Sequence, residues 1–190
     1  FLANGLGAHY GSQLKNLIVV SMGTGTSFVK VEDGKIQHIG GIGIGGGTIQ
    51  GLSRLLLKTH DIHQVVEMAQ KGIVENIDLQ IKDICNAALP GLPLNATAST
   101  FGKADSNSSL EDVAAGIIHM VLQSIVILAA LNSSIKDFVL IGNLAKLPQC
   151  KEVFPIMEDM YQCHFLIPEY AQYRTALGAA LAYVHQKEKQ

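Results

Sequence analysis

Two glycine-rich turns carry the residue types that could handle a phosphate. Gly23-Thr24-Gly25-Thr26-Ser27 joins two runs rich in β-branched residues. Glycines there let backbone N–H groups approach an anion, and Thr and Ser hydroxyls add donors. A plain hairpin turn is the alternative. The second turn, Gly40-Gly41-Ile42-Gly43-Ile44-Gly45-Gly46-Gly47-Thr48, runs into helical apolar spacing. A helix start offers unpaired N–H groups and roughly half a positive charge to an anion; a structural glycine hinge is the alternative. The run is not a Walker loop, because no Gly-Lys-Ser/Thr follows. It is not a dinucleotide fingerprint either, which should follow the first strand of a βαβ unit. A third turn, Gly142-Asn143, closes the run Asp137–Ile141. Ligands of open α/β sheets lie at such strand ends, although a simple helix-entry turn has the same residues. His60 and His63 stand three apart with no third ligand at suitable spacing, so no metal site is expected. There is no G-x-S-x-G elbow.

The elements that must position these turns are legible as apolar patterns. Leu17–Ser21 and Thr26–Val31 read as strands, Asp33-Gly34 as a hairpin signal and Lys35–Ile39 as the returning strand. Gly40–Gly47 reads as a loop, and Thr48–Leu57 as a helix with Thr48 near its cap. Asp61–Lys71 reads as a helix stopped by Gly72, and Asp78–Ala87 as another. Leu89–Ser109 reads as an ordered excursion. Ser109 caps a long helix, Leu110–Leu131, with Asp112 as the N3 partner of a capping-box-like start. Strand Asp137–Ile141, helix Gln149–Tyr161, strand Cys163–Ile167 and helix Tyr170–Gln186 complete the chain. Alternation of strands and helices predicts an α/β lobe over residues 1–190, with a mixed sheet covered on both faces.

Composition bounds the function classes. Of 190 residues 48% are hydrophobic and 16% charged, against about 25% charged in an ordinary soluble protein. A large core is expected and disorder is excluded. The net charge of −2 carries no basic excess, so neither nucleic acid nor a membrane surface is the expected partner. Cys85, Cys150 and Cys163 form no close-spaced pair, which fits core residues in a reducing cytosol. Val113–Leu131 approaches the ~20 apolar residues of a membrane span. His119, Gln123 and Ser124 interrupt it, so a buried globular helix is the reading. Phe1–Ser12 lacks the basic flank of a secretory signal. No initiator Met stands at the start, and the first residues of a larger protein are expected to be absent. Lys187–Gln190 reads as a solvated tail.

Ser21–Ser27 (SMGTGTS), Ile39–Leu52 (IGGIGIGGGTIQGL), Thr97-Ala98-Ser99 before Phe101-Gly102, Val139–Asn143 (VLIGN) and Ala176–Ala180 (ALGAA) occur in one order. In that order they resemble the type II pantothenate kinases of the actin-like, sugar-kinase-like ATPase superfamily, over nearly the whole chain. Asn4-Gly5-Leu6 is similar to the segment leading into the first of these strands. The resemblance implies an actin-like (ribonuclease H-like) lobe and transfer of phosphate from ATP, with Mg²⁺, to the primary hydroxyl of pantothenate. It places Thr24 between the ATP phosphates and pantothenate, and Ser27 on the pantothenate side. It assigns Gly46, Gly47, Thr48, Ile49 and Gln50 to ATP, Asn143 to the nucleoside, and Ile62 to a nucleotide neighbour. His38 stands where the family has a pantothenate-holding Arg, and an imidazole is a poorer partner than a guanidinium fork. The family's other phosphate loop and catalytic Glu lie in an amino-terminal lobe that this sequence does not contain. No catalytic residue and no metal ligand are therefore expected in this chain. A cytoplasmic homodimer is also implied.

Two rival readings follow from the same residues. His38 favours a different acceptor, such as pantetheine or a small sugar. The long apolar helix and low charge would suit a non-catalytic, nucleotide-sensing or dimer-forming chain. On the main reading, the 190 residues alone are inactive.

Overall fold

Leu17–Met22 (β1) is buried at five of its six positions, as a continuous apolar run requires of a strand covered on both faces. The computed structural model describes residues 1–85, 87, 90–131 and 134–187. Thr26–Glu32 (β2) pairs antiparallel with β1, and Lys35–Ile42 (β3) antiparallel with β2. On the other side of β1, Asp137–Ile141 (β6) and His164–Leu166 (β7) add in parallel, giving the order β3-β2-β1-β6-β7. The mixed sheet expected from the alternation of elements is therefore present. Its β3 runs further than expected: Gly40, Gly41 and Ile42 continue the ladder opposite Phe28, Ser27 and Thr26. A bulge opposite Phe28 and Val29 absorbs the extra residue.

One face of the sheet is covered by Leu2–His9 (α1), which packs on Leu17, Val19, Val29, Val31, Val139 and Ile141. Two glycines in Leu2–His9 disfavour a helix, since each costs about 1 kcal/mol relative to Ala. Tertiary packing overrides that cost. Arg174–Lys187 (α8) crosses α1 so closely that a Cβ on Gly7 would collide with the Arg174 carbonyl, and one on Gly178 with the Ala3 carbonyl. Gly178 of the Ala176–Ala180 motif is thus a helix-crossing residue. Arg174 Nη1 closes the crossing by donating to the Tyr10 carbonyl at 2.7 Å.

The other face carries the larger core. Gly46–Leu52 (α2) continues as a π-helical turn, Ser53–Leu57. Ile62–Lys71 (α3) starts where Asp61 Oδ1 accepts the His63 N–H at 2.9 Å. Leu110–Leu131 (α6) lies between α3 and Cys150–Tyr161 (α7). Its most apolar window is 67% buried, as the globular reading required. Ser109 Oγ accepts the Asp112 N–H at 3.1 Å, so half of the expected capping box forms. The Asp112 carboxylate turns away instead. It takes the Ile73 N–H at 2.7 Å and Asn76 Nδ2 at 3.1 Å, and these bonds hold its pKa below the usual carboxylate range.

The expected helix Asp78–Ala87 is corrected, as far as its described residues go. Val74–Ile77 (α4) and Ile81–Ile84 (α5) are single turns, and between them Leu79–Gln80 (β4) pairs with Thr97–Ser99 (β5). Residues 90–109 of the expected excursion are ordered around this small ladder. Asn86 and Leu89, at the edges of those two expectations, lie outside the described residues, as do 188–190 of the expected tail.

Cys150 is 2% exposed, and burial pushes its thiol up to about 12. The thiolate is the nucleophile in alkylation, so a rise of that size slows the reaction about a thousandfold near neutral pH. Iodoacetamide at about pH 8 should label half-buried Cys85 that much faster than Cys150, as read by peptide mass spectrometry. Equal rates would mean that α7 opens readily.

Candidate phosphate-binding site

The three glycine turns converge at the carboxyl edge of β1 and β6. The parallel ladder ends on Ser21 opposite Ile141, which sets Met22-Gly23 beside Gly142-Asn143. Gly142 takes φ +97° and donates its N–H to the Ala171 carbonyl at 2.9 Å. A Cβ there would collide with the Met22 carbonyl. The second turn docks on the first. Gly46 N–H donates to the Gly23 carbonyl and Gly47 N–H to the Thr24 carbonyl, both at 2.8 Å. Thr26 Oγ1 donates to the Ile44 carbonyl at 2.9 Å. Gly45 is buried at this crossing, and a Cβ on it would sit 2.6 Å from the Thr24 oxygen. Only a bare Cα lets the two bends touch.

These contacts change what the glycines of the second turn do. Helix α2 begins at Gly46, two residues before the expected start, with Gly45 as its cap and Thr48 in the third position. Thr48 Oγ1 accepts the Gly45 N–H at 3.2 Å. The Gly46 and Gly47 amides, read as phosphate donors, are engaged by the carbonyls of the first bend. What they contribute here is to lock the bends together. The open donors belong to the first bend. Among the described residues, neither Thr24 N–H nor Gly25 N–H has an internal partner, and the Thr24 and Ser27 hydroxyls are likewise unpaired. Thr24 is exposed and Ser27 half-buried. No charged side chain stands at 22–27, 43–50 or 141–145. The bends therefore offer an anion neutral donors and no competing carboxylate.

The remaining candidates are placed unevenly. Asn143 is exposed at the start of a 3-10 turn, Asn143–Lys146, next to the bends. Gln50 is exposed on α2, whereas Ile49 is fully buried in the core and its side chain anchors the helix. Ile62 is half-buried against the core at the start of α3. His38 is not brought to the bends. It pairs with Val29, three residues and roughly 10 Å along β2 from Thr26. Its ring stacks on Phe1 with centroids 3.8 Å apart.

One polar group was not singled out from the sequence. Asp78 is fully buried and accepts the Phe101 N–H at 2.8 Å, Thr97 Oγ1 at 3.3 Å and His119 Nδ1 at 2.9 Å. It ties the Thr97–Gly102 motif to α6. The available signal was an acid inside Ile77-Asp78-Leu79 and a histidine inside the long apolar run.

The Fumble family model matches residues 10–146, a stretch that contains all three turns. The chain belongs to the Fumble family. Among the curated relatives of this Fumble chain is a type II pantothenate kinase of Bacillus cereus strain G9842. It is 34% identical over 136 residues, covering 68% of this chain and 50% of that protein. A type II pantothenate kinase of Staphylococcus epidermidis is 40% identical over 92 residues, 48% of this chain and 35% of that protein. A 4'-phosphopantetheine phosphatase of Mus musculus is 41% identical over 120 residues, 60% of this chain but 15% of that protein. The chain thus spans half or less of these relatives' length. In fold, it is similar to an activator of 2-hydroxyisocaproyl-CoA dehydratase from Clostridium difficile with bound ADPNP. That match has a TM-score of 0.61 and 17% identity, and covers 98% of this chain and 68% of that one. It is also similar to MreB5 of Spiroplasma citri bound to ADP, with a TM-score of 0.57 and 14% identity over 98% of this chain and 59% of that one. The fold is that of the actin-like ATPases.

Proposed function

We propose that this chain is the phosphate- and nucleoside-binding part of an ATP-dependent kinase that phosphorylates pantothenate, the first step of coenzyme A synthesis. The observation that carries the reading is the meeting of three turns at one sheet edge, with the free amides of Thr24 and Gly25 and the Thr24 hydroxyl at its tip. Neutral donors held in place suit phosphoryl transfer, which needs positioning and charge stabilisation more than covalent help. Thr24 binds at the junction of donor and acceptor, Ser27 faces the acceptor, and Asn143 contacts the nucleoside.

No group of three or more His, Cys, Asp or Glu that could hold a metal occurs among the described residues. No carboxylate stands at 22–27, 43–50 or 141–145 either, so at these bends Mg²⁺ would arrive with the nucleotide. A base for the acceptor hydroxyl is likewise absent from the bends. That role would fall to residues outside the bends. A cytoplasmic homodimer belongs to the same proposal.

The test is a coupled assay with ATP and pantothenate on the longer protein and on residues 1–190 alone. Turnover is expected from the former only. Thr24→Ala in the longer protein should lower kcat about a hundredfold to a thousandfold, the size expected for one preorganised donor. Turnover by the isolated 190 residues would overturn the division of labour. Failure on pantothenate, with release of phosphate from 4'-phosphopantetheine, would overturn the kinase reading.

A further inference from the structure

Helix α8 is covered on one side. It packs on α1 and on the 3-10 turn Ala171–Tyr173 that leads into it. Gly178 crosses Ala3 and Gly7 on that side, and Thr175 Oγ1 donates to Asn4 Oδ1 at 2.8 Å. Of the 14 residues of α8, Gly178 alone is buried. Residues 176–184 nevertheless read ALGAALAYV, with no charge among them. Apolar surface therefore continues around the helix onto the side away from α1. A helix apolar all round belongs in an interior or at an interface.

The outward side has a regular order. Tyr173, Ala176, Ala180, Tyr183 and Lys187 follow at steps of three and four in turn, which is the 3.5-residue repeat of a helix–helix seam. All five are exposed, the two tyrosines at 63% and 60%. Small residues stand in the middle, rings on either side, and charge beyond them. Lys187 closes one end, its Nζ 4.9 Å from the centre of the Tyr183 ring. Glu169 stands at the other end, where its carbonyl accepts Arg174 Nε at 3.1 Å. The Glu169 carboxylate is exposed and has no partner among the described residues.

We infer that this face of α8 is the contact between two copies of the chain, their helices antiparallel about a two-fold axis level with Gly178. Reversal about that level sets each seam residue against its complement. Ala176 meets the partner's Ala180, Tyr173 meets the partner's Tyr183, and Lys187 comes to the partner's Glu169. Alanine against alanine lets the helix axes approach to about 8 Å, the close end of helix packing. Paired rings add most of the covered area. Parallel helices would set Lys187 against a second Lys187 and align the two dipoles, whereas antiparallel ones oppose both. The face thus carries its own complement, as a two-fold contact requires. The seam is roughly 21 Å long and buries on the order of 900 Å² over both copies, at the low end of specific interfaces. The association is therefore reversible, with Kd on the order of 10–100 μM. This gives a surface to the homodimer of the preceding proposal, and it rests on that part alone, not on the kinase activity.

Sedimentation velocity of the full protein over about 1–300 μM tests it, and a monomer–dimer equilibrium is expected in that range. Ala180→Glu sets two carboxylates beside the axis and should raise Kd at least about tenfold. Because the position is exposed, the variant should melt within about 1 °C of the parent at low concentration. Lys187→Glu and Glu169→Lys should each raise Kd roughly threefold to tenfold, and the double variant should recover the parent value. No recovery in the double variant would overturn the antiparallel register. A parent dimer that Ala180→Glu leaves intact would overturn the inference and leave the homodimer to another face. A parent still monomeric at about 300 μM would overturn both. An Ala180→Glu protein of unchanged mass that melts several degrees lower would place another part of the polypeptide on this face, and would also overturn the inference.

Discussion

Replacing Gly142 by alanine should lower Tm by roughly 6–12 °C and weaken nucleotide binding at least about tenfold. At φ +97° and ψ 177° the residue occupies a region open essentially to glycine alone, and a forced side chain there costs on the order of 1–3 kcal/mol. The steric term adds to the backbone term. The new Cβ would collide with the Met22 carbonyl, which belongs to a buried central strand and cannot swing aside as a flexible side chain could. The sum is about 2–4 kcal/mol, which at about 3 °C per kcal/mol for a chain of this size gives the stated range. Relief comes by parting the carboxyl ends of β1 and β6. That movement carries Gly23-Thr24 away from Asn143 and so spreads the proposed phosphate and nucleoside contacts. Gly51→Ala is the control, since a Cβ there meets nothing within 4 Å and the residue lies in α2. It should leave Tm unchanged or raise it slightly. Thermal melts and nucleotide titrations on both variants decide the matter. A Gly142→Ala protein that melts with the parent would show that the two strand ends are not held as described.

The contrast between these two glycines marks where sequence reading runs out. β1, β6 and α6 could be bounded closely because an unbroken apolar run has one buried solution at each length, short as a strand and long as a helix. Ile77-Asp78-Leu79-Gln80-Ile81 had two solutions. Its apolar residues fit an alternating strand, and with Ile84 they also fit a helix face. The choice fell to Thr97–Ser99, which pairs with Leu79 and Gln80 from well over a dozen residues away. Gly40–Ile42 was read as loop because glycine is a poor strand former, yet β2 opposite still offered ladder partners. At the site, glycine clustering pointed to close backbone approach but could not say to what. Gly45, Gly46 and Gly47 approach the carbonyls of the first bend. A local pattern shows that amides are available, and only the fold says which acceptor takes them. The family resemblance assigned His38 to the acceptor, and the β3 ladder sets it opposite Val29, along β2 from the bend.

Asp78→Ala should be the most damaging single change away from the bends, with a loss of about 3–5 kcal/mol and a fall in Tm of roughly 8–15 °C. A buried carboxylate is costly in itself, and its persistence depends on three donors converging on it. Those donors come from three places: Phe101 N–H, Thr97 Oγ1 and the His119 ring. Alanine removes the acceptor while leaving the Phe101 amide with no partner in the interior, and it opens a void beside α6. Orphaning a buried donor costs the full desolvation of that group, whereas replacing both partners would cost far less. His119→Phe should therefore be milder than Asp78→Ala, since Asp78 keeps two donors when the imidazole is gone. The damage should begin locally. Residues 90–107 are held to α6 through this carboxylate and His119, and to α5 through the Lys103–Asp83 contact at 2.8 Å. Limited proteolysis of Asp78→Ala should cut that excursion before the sheet unfolds. In NMR spectra the His119 ring proton should leave Nδ1 once the carboxylate is gone, a signature that a purely volumetric defect would not produce. An Asp78→Ala protein melting within about 2 °C of the parent would show that solvent reaches these donors and that the network does not bind the excursion to the core.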